Sequence, residues 1–79
     1  FMNKKKINQL RNIFCETFPD AKIPKNIEKL QVGDFDEWDS LGNFNLLLAV
    51  EEFYEIKFDV DQMSNIKSVS DILKNIKNN

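Results

Sequence analysis

Residues 40–55, SLGNFNLLLAVEEFYE, constrain the fold more than any other stretch. Their apolar residues recur at the helical period, and the only strand-like alternation elsewhere, EIKFDV at residues 55–60, is short. On a wheel at about 100° per residue, Leu46, Leu47, Val50, Phe53 and Tyr54 share one arc, which must face a core. Leu41, Phe44 and Leu48 lie on the opposite arc at i, i+3 and i+7, with Glu51, Glu52 and Glu55 among them. Ser40 sits at the edge of that second arc. A helix apolar on two sides is either covered by other parts of the chain or presents a surface to a partner. On the residues alone both readings stand. Either the preceding loop packs over Leu41, Phe44 and Leu48, or these three meet an apolar groove rimmed by Lys and Arg.

The rest of the chain supplies helices to pack against this one. Ile7, Leu10, Phe14 and Phe18, with Ile13 beside them, mark an amphipathic helix over residues 3–18, ended by Pro19 and Asp20. A long connection follows from Pro19 to Trp38, and loops of that length in small domains are often functional. Ile23, Ile27, Leu30, Val32, Phe35 and Trp38 are expected to pin it to the body, with a short helical turn near Ile27–Leu30. The second helix runs from about Ser40 to Tyr54, capped by Asp39 or Ser40. A short element is expected near Asp61–Ile66. The last helix opens at SVSD, where Ser68 and Asp71 resemble a capping box, and Ile72, Leu73 and Ile76 form its apolar face. The terminal Lys77-Asn78-Asn79 should fray. The expected architecture is all-α: one domain, an up-down bundle of three main helices and one short one, with a long first loop.

Composition bounds what such a bundle can do. A 79-residue chain makes one small domain, and 42% hydrophobic residues with seven Phe suffice for one core. The single Cys15 rules out an internal disulfide and suits a reducing, cytoplasmic setting. The basic start FMNKKKINQL has no apolar segment behind it, so it does not read as a signal peptide, and Phe1 ahead of Met2 reads as foreign to the natural chain. No apolar run reaches the roughly 20 residues of a membrane span. The net charge of −2 hides an asymmetry. Residues 31–62 carry nine acids and one lysine, whereas residues 1–30 carry seven Lys/Arg and three acids. The acidic middle attracts basic partners and repels nucleic acid.

Catalysis finds little to work with. Ser40 would need a base to act as a nucleophile, and the chain has no His. Asp36, Glu37 and Asp39 form a carboxylate group, but a domain this small rarely builds a cleft around one. Zinc sites need Cys/His clusters, which are missing. DFDEWDSLGNFN begins like a calcium loop at Asp34 and Asp36. It fails at Trp38, Asp39 and Asn45, where a fifth ligand, a turn glycine and a closing Glu belong. Ser40 therefore reads as either a plain helix cap or a point of modification at the positive end of a helix dipole.

Asp39-Ser40-Leu41, followed by the apolar helix ending in Glu51-Glu52-Phe53-Tyr54, resembles the acyl carrier proteins. The resemblance extends to IKSVSDIL at Ile66–Leu73, similar to the start of that family's last helix, and covers nearly the whole chain. It implies that Ser40 carries 4′-phosphopantetheine through a phosphodiester bond and that the arm's thiol holds acyl groups as thioesters. It also implies a non-catalytic, monomeric carrier. Asp39 would assist the phosphopantetheinyl transferase that installs the arm, close to that enzyme's metal. Leu41, Phe44, Leu48, Glu51 and Glu52 would form the face read by the transferase and by acyl-activating and acyl-transferring enzymes with basic surfaces. Cys15, within the first helix, is not the carrier thiol. The chain departs from the family's fatty-acid carriers. Trp38 precedes the Asp-Ser dyad, Glu37 stands where a glycine is usual, and Gly42 and Asn45 replace commonly acidic positions. Gly42 is expected to weaken the first turn by roughly 1 kcal/mol against Ala. These departures look like those of specialised, pathway-dedicated carriers. The D-alanyl or aminoacyl carriers share the dyad and the bundle, and an unmodified acidic helical interaction module remains the alternative.

Overall fold

A computed structural model describes residues 4–77 of the chain. Phe1 and most of the tail expected to fray, Asn78 and Asn79, fall outside them. Four helices follow in order: α1, Lys4–Thr17; α2, Ser40–Tyr54; α3, Val60–Asn65; and α4, Val69–Lys77. The described residues hold no strand; one isolated antiparallel bridge joins Gln31 and Ser68. The all-α bundle with a long first loop is what the helical spacing predicts.

α1 turns Ile7, Leu10, Ile13 and Phe14 inward, the face marked by its period. Its last bond runs from the Phe18 N–H to the Phe14 carbonyl, and Pro19 then stops the helix, since the residue before a proline is held out of helical geometry. α1 and α2 pack antiparallel. The Tyr54 hydroxyl at the end of α2 donates to Gln9 Oε1 near the start of α1 (2.9 Å). At the other end the Phe14 ring meets Trp38, just before α2, edge-on at 4.9 Å. Burial pushes the Tyr54 phenol above its usual pKa.

α2 buries Gly42, Asn43, Leu46, Leu47 and Val50. Phe53, expected on the core arc, is half exposed at 51%. It lies at the edge of that arc and packs edge-on against Tyr54 (4.8 Å) rather than inward. Residues 18–39 contain no helix. The turn expected near Ile27–Leu30 is a single hydrogen-bonded turn, Leu30 N–H to the Ile27 carbonyl (3.0 Å). The loop is nonetheless anchored. Ile27 and Trp38 are fully buried, and Arg11 donates to the carbonyls of Ile23 and Pro24 (2.9 Å each). Gly33, at φ +97, takes a left-handed turn that glycine adopts at no steric cost, and its N–H reaches the Trp38 carbonyl (2.8 Å).

The loop also pairs with the α3–α4 junction: Val32 N–H donates to the Lys67 carbonyl and Val69 N–H to the Leu30 carbonyl. Val69, Ile72 and Ile76 of α4 close the core. Ser68 caps α4 by accepting from the Asp71 N–H (3.0 Å). Asp71 reaches back one residue further than a capping box requires, to the Lys67 N–H (3.0 Å). α3 buries none of its own residues; Phe58 before it and Ile66 after it are the buried anchors.

Candidate functional site

The start of α2 is set by Asp39. Its backbone is extended, and its carboxylate accepts from the Gly42 N–H (2.8 Å), satisfying one of the orphan donors of the first turn. Asp39, not Ser40, is therefore the N-cap. Ser40 is the first helical residue; it is exposed, and its hydroxyl has no hydrogen-bond partner among the described residues. Its amide and that of Leu41 have no carbonyl to bond within the helix, so Ser40 Oγ stands at the positive end of the dipole.

A rigid base holds this turn. Phe14, Phe18, Phe35 and Trp38 form an aromatic cluster with ring separations of 4.9–6.1 Å. Trp38, one residue before the cap, donates from Nε1 to Asn43 Oδ1 (3.0 Å). The Asn43 amide donates in turn to the Ile66 carbonyl (2.8 Å). Asn43 thus ties the segment before Ser40 to the segment after α3, with both its polar ends satisfied inside the core. Gly42 has a reason of its own. A Cβ there would run into the Glu37 carbonyl oxygen and reach the Phe18 ring at 3.0 Å. The close approach of the loop to α2 requires glycine, so the propensity argument gives the wrong account of this residue.

The outer arc of α2 is uncovered. Leu41, Phe44 and Leu48 are 69%, 48% and 43% exposed, so the long loop does not pack over them. Three depressions border this face. A groove of about 280 Å³ lies between Ser40, Phe44 and Leu47 of α2 and Val60, Met63 and Ser64 of α3. On the other side of the Ser40 turn, Phe18, Leu41 and Asn45 line a depression of about 330 Å³ together with the carboxylates of Asp20, Glu37 and Asp39. At the far end, Leu48, Glu51, Glu52, Glu55, Ile56 and Lys57 border a third, of about 440 Å³. The structure thus brings Asp39, Ser40, Leu41, Phe44, Leu48 and Glu52 onto one exposed strip. Glu51 is half-buried, and its carboxylate is engaged by the Phe58 N–H (2.7 Å).

Asn43 and Gly42 escaped the sequence reading as functional supports. Asn43 does carry a signal: it sits at the centre of the core arc, between Val50 and Tyr54 on the wheel, where an unpaired amide would be costly. Among the described residues no group of three or more His, Cys, Asp or Glu side chains is placed to hold a metal. Asp34 instead accepts from the Gln31 N–H (2.8 Å). No described helix is long and apolar enough to cross a membrane. Comparison with protein-family models, with curated proteins and with solved structures finds no match.

Proposed function

We propose that this chain is a carrier protein, with the Ser40 hydroxyl as the attachment point of a 4′-phosphopantetheine arm. The observation that carries the reading is the division of labour at the start of α2. Asp39 supplies the cap, so Ser40 is not needed for capping and keeps its hydroxyl exposed and unengaged. A phosphodiester at that oxygen would meet the free amides of Ser40 and Leu41 at the helix N-terminus, which favours an anion. When attached, the arm supplies a thiol that carries acyl groups as thioesters. Ser40 holds it, and the groove toward Val60 and Met63 offers an apolar wall against which it can lie. Asp39 has a second carboxylate oxygen with no partner among the described residues, which leaves it free to assist a transferase.

The exposed strip suits enzymes that load and use such an arm. Leu41, Phe44 and Leu48 offer an apolar contact, and Glu52 offers charge for a basic rim. The setting is cytoplasmic and the working form a monomer. The cargo is an acyl group, or an aminoacyl or D-alanyl group in the variant reading. The exposed apolar strip also suits an unmodified interaction module, and mass separates the two. The apo protein is incubated with coenzyme A, magnesium and a broad-range phosphopantetheinyl transferase. A gain of one phosphopantetheine unit, lost in Ser40→Ala, is expected; an unchanged mass leaves only the interaction module.

A further inference from the structure

Two carboxylates stand in the last turn of α2, and the fold accounts for one of them. Acids there oppose the helix dipole, and no basic residue lies in that turn to offset them. Glu52 is exposed and has no hydrogen-bond or ion-pair partner among the described residues. Glu51 is different. Its backbone carbonyl accepts from the N–H groups of Glu55 and Ile56 (3.0 Å for Ile56), and its side chain accepts from the N–H of Phe58. Three of the four amides leaving the helix therefore end on one residue. The exit they hold is strained. Glu55 adopts the left-handed conformation (φ 56, ψ 48) that glycine normally takes after a helix.

Phe58 is the buried anchor at the start of α3, as Ile66 is at its end, while α3 itself contributes only Met63 at the core's edge and the Gln62 bond to Asn75 (3.0 Å). Its leading end is tied to α2 through Glu51 and its trailing end through Asn43 and the Ile66 carbonyl. Val60 and Met63 of α3 are the far wall of the groove beside Ser40. We propose that Glu51 is a positioning residue: its carboxylate, through the Phe58 amide, fixes the α3 wall of that groove, while Glu52 faces partners. The part concerning partners rests on the carrier reading; the part concerning α3 does not.

The two roles respond differently to an uncharged acceptor. Glu51→Gln removes the charge but keeps an oxygen for the Phe58 amide, whereas Glu51→Ala removes both. Amide exchange of Phe58, followed by NMR on the unloaded protein, should rise about tenfold or more in Glu51→Ala, as expected for losing a hydrogen bond to a charged group. Glu51→Gln should rise by clearly less than Glu51→Ala, because the amide is still paired, though to an uncharged oxygen. In transferase loading at Ser40, Glu52→Gln should raise KM for the carrier and flatten its salt dependence, while Glu51→Gln leaves both near wild type. Exchange that is unchanged in Glu51→Ala, or equally fast in Glu51→Gln and Glu51→Ala, overturns the positioning role. So does a KM for Glu51→Gln raised as far as for Glu52→Gln. A wild-type protein that never loads overturns the carrier reading instead, and the amide comparison still decides the role of Glu51.

Discussion

The connection that enters α2, residues 18–39, has no helix, yet it buries Ile27 and Trp38 completely and pairs its backbone with Lys67 and Val69. The connection that leaves α2, residues 55–68, contains a regular helix, α3, with no buried residue. Regular structure and anchoring are therefore inverted: in the second connection the anchors Phe58 and Ile66 flank α3 and lie outside it. In a bundle this small, what fixes a segment is the number of large side chains it commits to the core. The inversion also divides the surroundings of Ser40. On one side stands a wall held by an aromatic cluster; on the other stands α3, held at its two ends by Phe58, Ile66 and two α2 side chains.

The largest effect should come from the irregular segment. Trp38→Ala removes the largest fully buried side chain and leaves the Asn43 carbonyl oxygen without its donor. Truncating a buried aromatic costs about 3–5 kcal/mol, a large share of the stability available to one small domain. Denaturant unfolding followed by circular dichroism should show that loss with all four helices melting together. A cost below about 1 kcal/mol would mean that residues 18–39 are draped over the bundle rather than built into it.

A middle-sized effect tests the junction where the loop touches α2. Helix propensity alone favours Gly42→Ala by about 1 kcal/mol. The structure gives the opposite sign, because the new methyl meets the Glu37 carbonyl, a backbone atom that cannot rotate away. Overpacking of this kind costs about 1–3 kcal/mol and should displace the Asp39–Ser40 turn as well. The variant is expected to unfold at lower denaturant and to load more slowly at Ser40. A stabilised Gly42→Ala would show that the loop yields at Glu37.

Gly42 also shows where reading the chain reaches its limit. The helices were legible because their signals are local. The spacing of Ile7, Leu10 and Phe14, the apolar run after Ser40 and the Ser68–Asp71 pair each lie within a few residues. The bounds of α2 and the third element near residue 61 came out within a residue or so. What the local signals do not show depends on distant partners. Gly42 answers to Glu37 and Phe18, Asn43 to Trp38 and Ile66, and Glu51 to Phe58. The wheel angle alone points Phe53 inward, but whether an arc edge is buried depends on what packs opposite it. At the site, the exposed strip of Leu41, Phe44 and Leu48 was one of two readings open from the wheel. Which residue caps α2 was likewise open, and the backbone at Asp39 decided it.

The smallest effect belongs to α3. Asp59 accepts from the Gln62 N–H (2.7 Å) and Gln62 Oε1 accepts from the Asp59 N–H (2.9 Å), a reciprocal capping box on a six-residue helix. A cap of this kind stabilises its helix by about 1 kcal/mol. Because α3 buries no side chain and only Met63 packs against the edge of the core, that loss should stay local. Asp59→Ala is expected to speed amide exchange from Gln62 to Ile66, while the denaturation midpoint moves far less than in Trp38→Ala. The Val60–Met63 wall of the Ser40 groove would loosen with the core intact, separating the contribution of that wall from overall stability. Cooperative loss of the whole bundle in Asp59→Ala would instead place α3 within the same folding unit as the aromatic cluster and erase the contrast between the two connections.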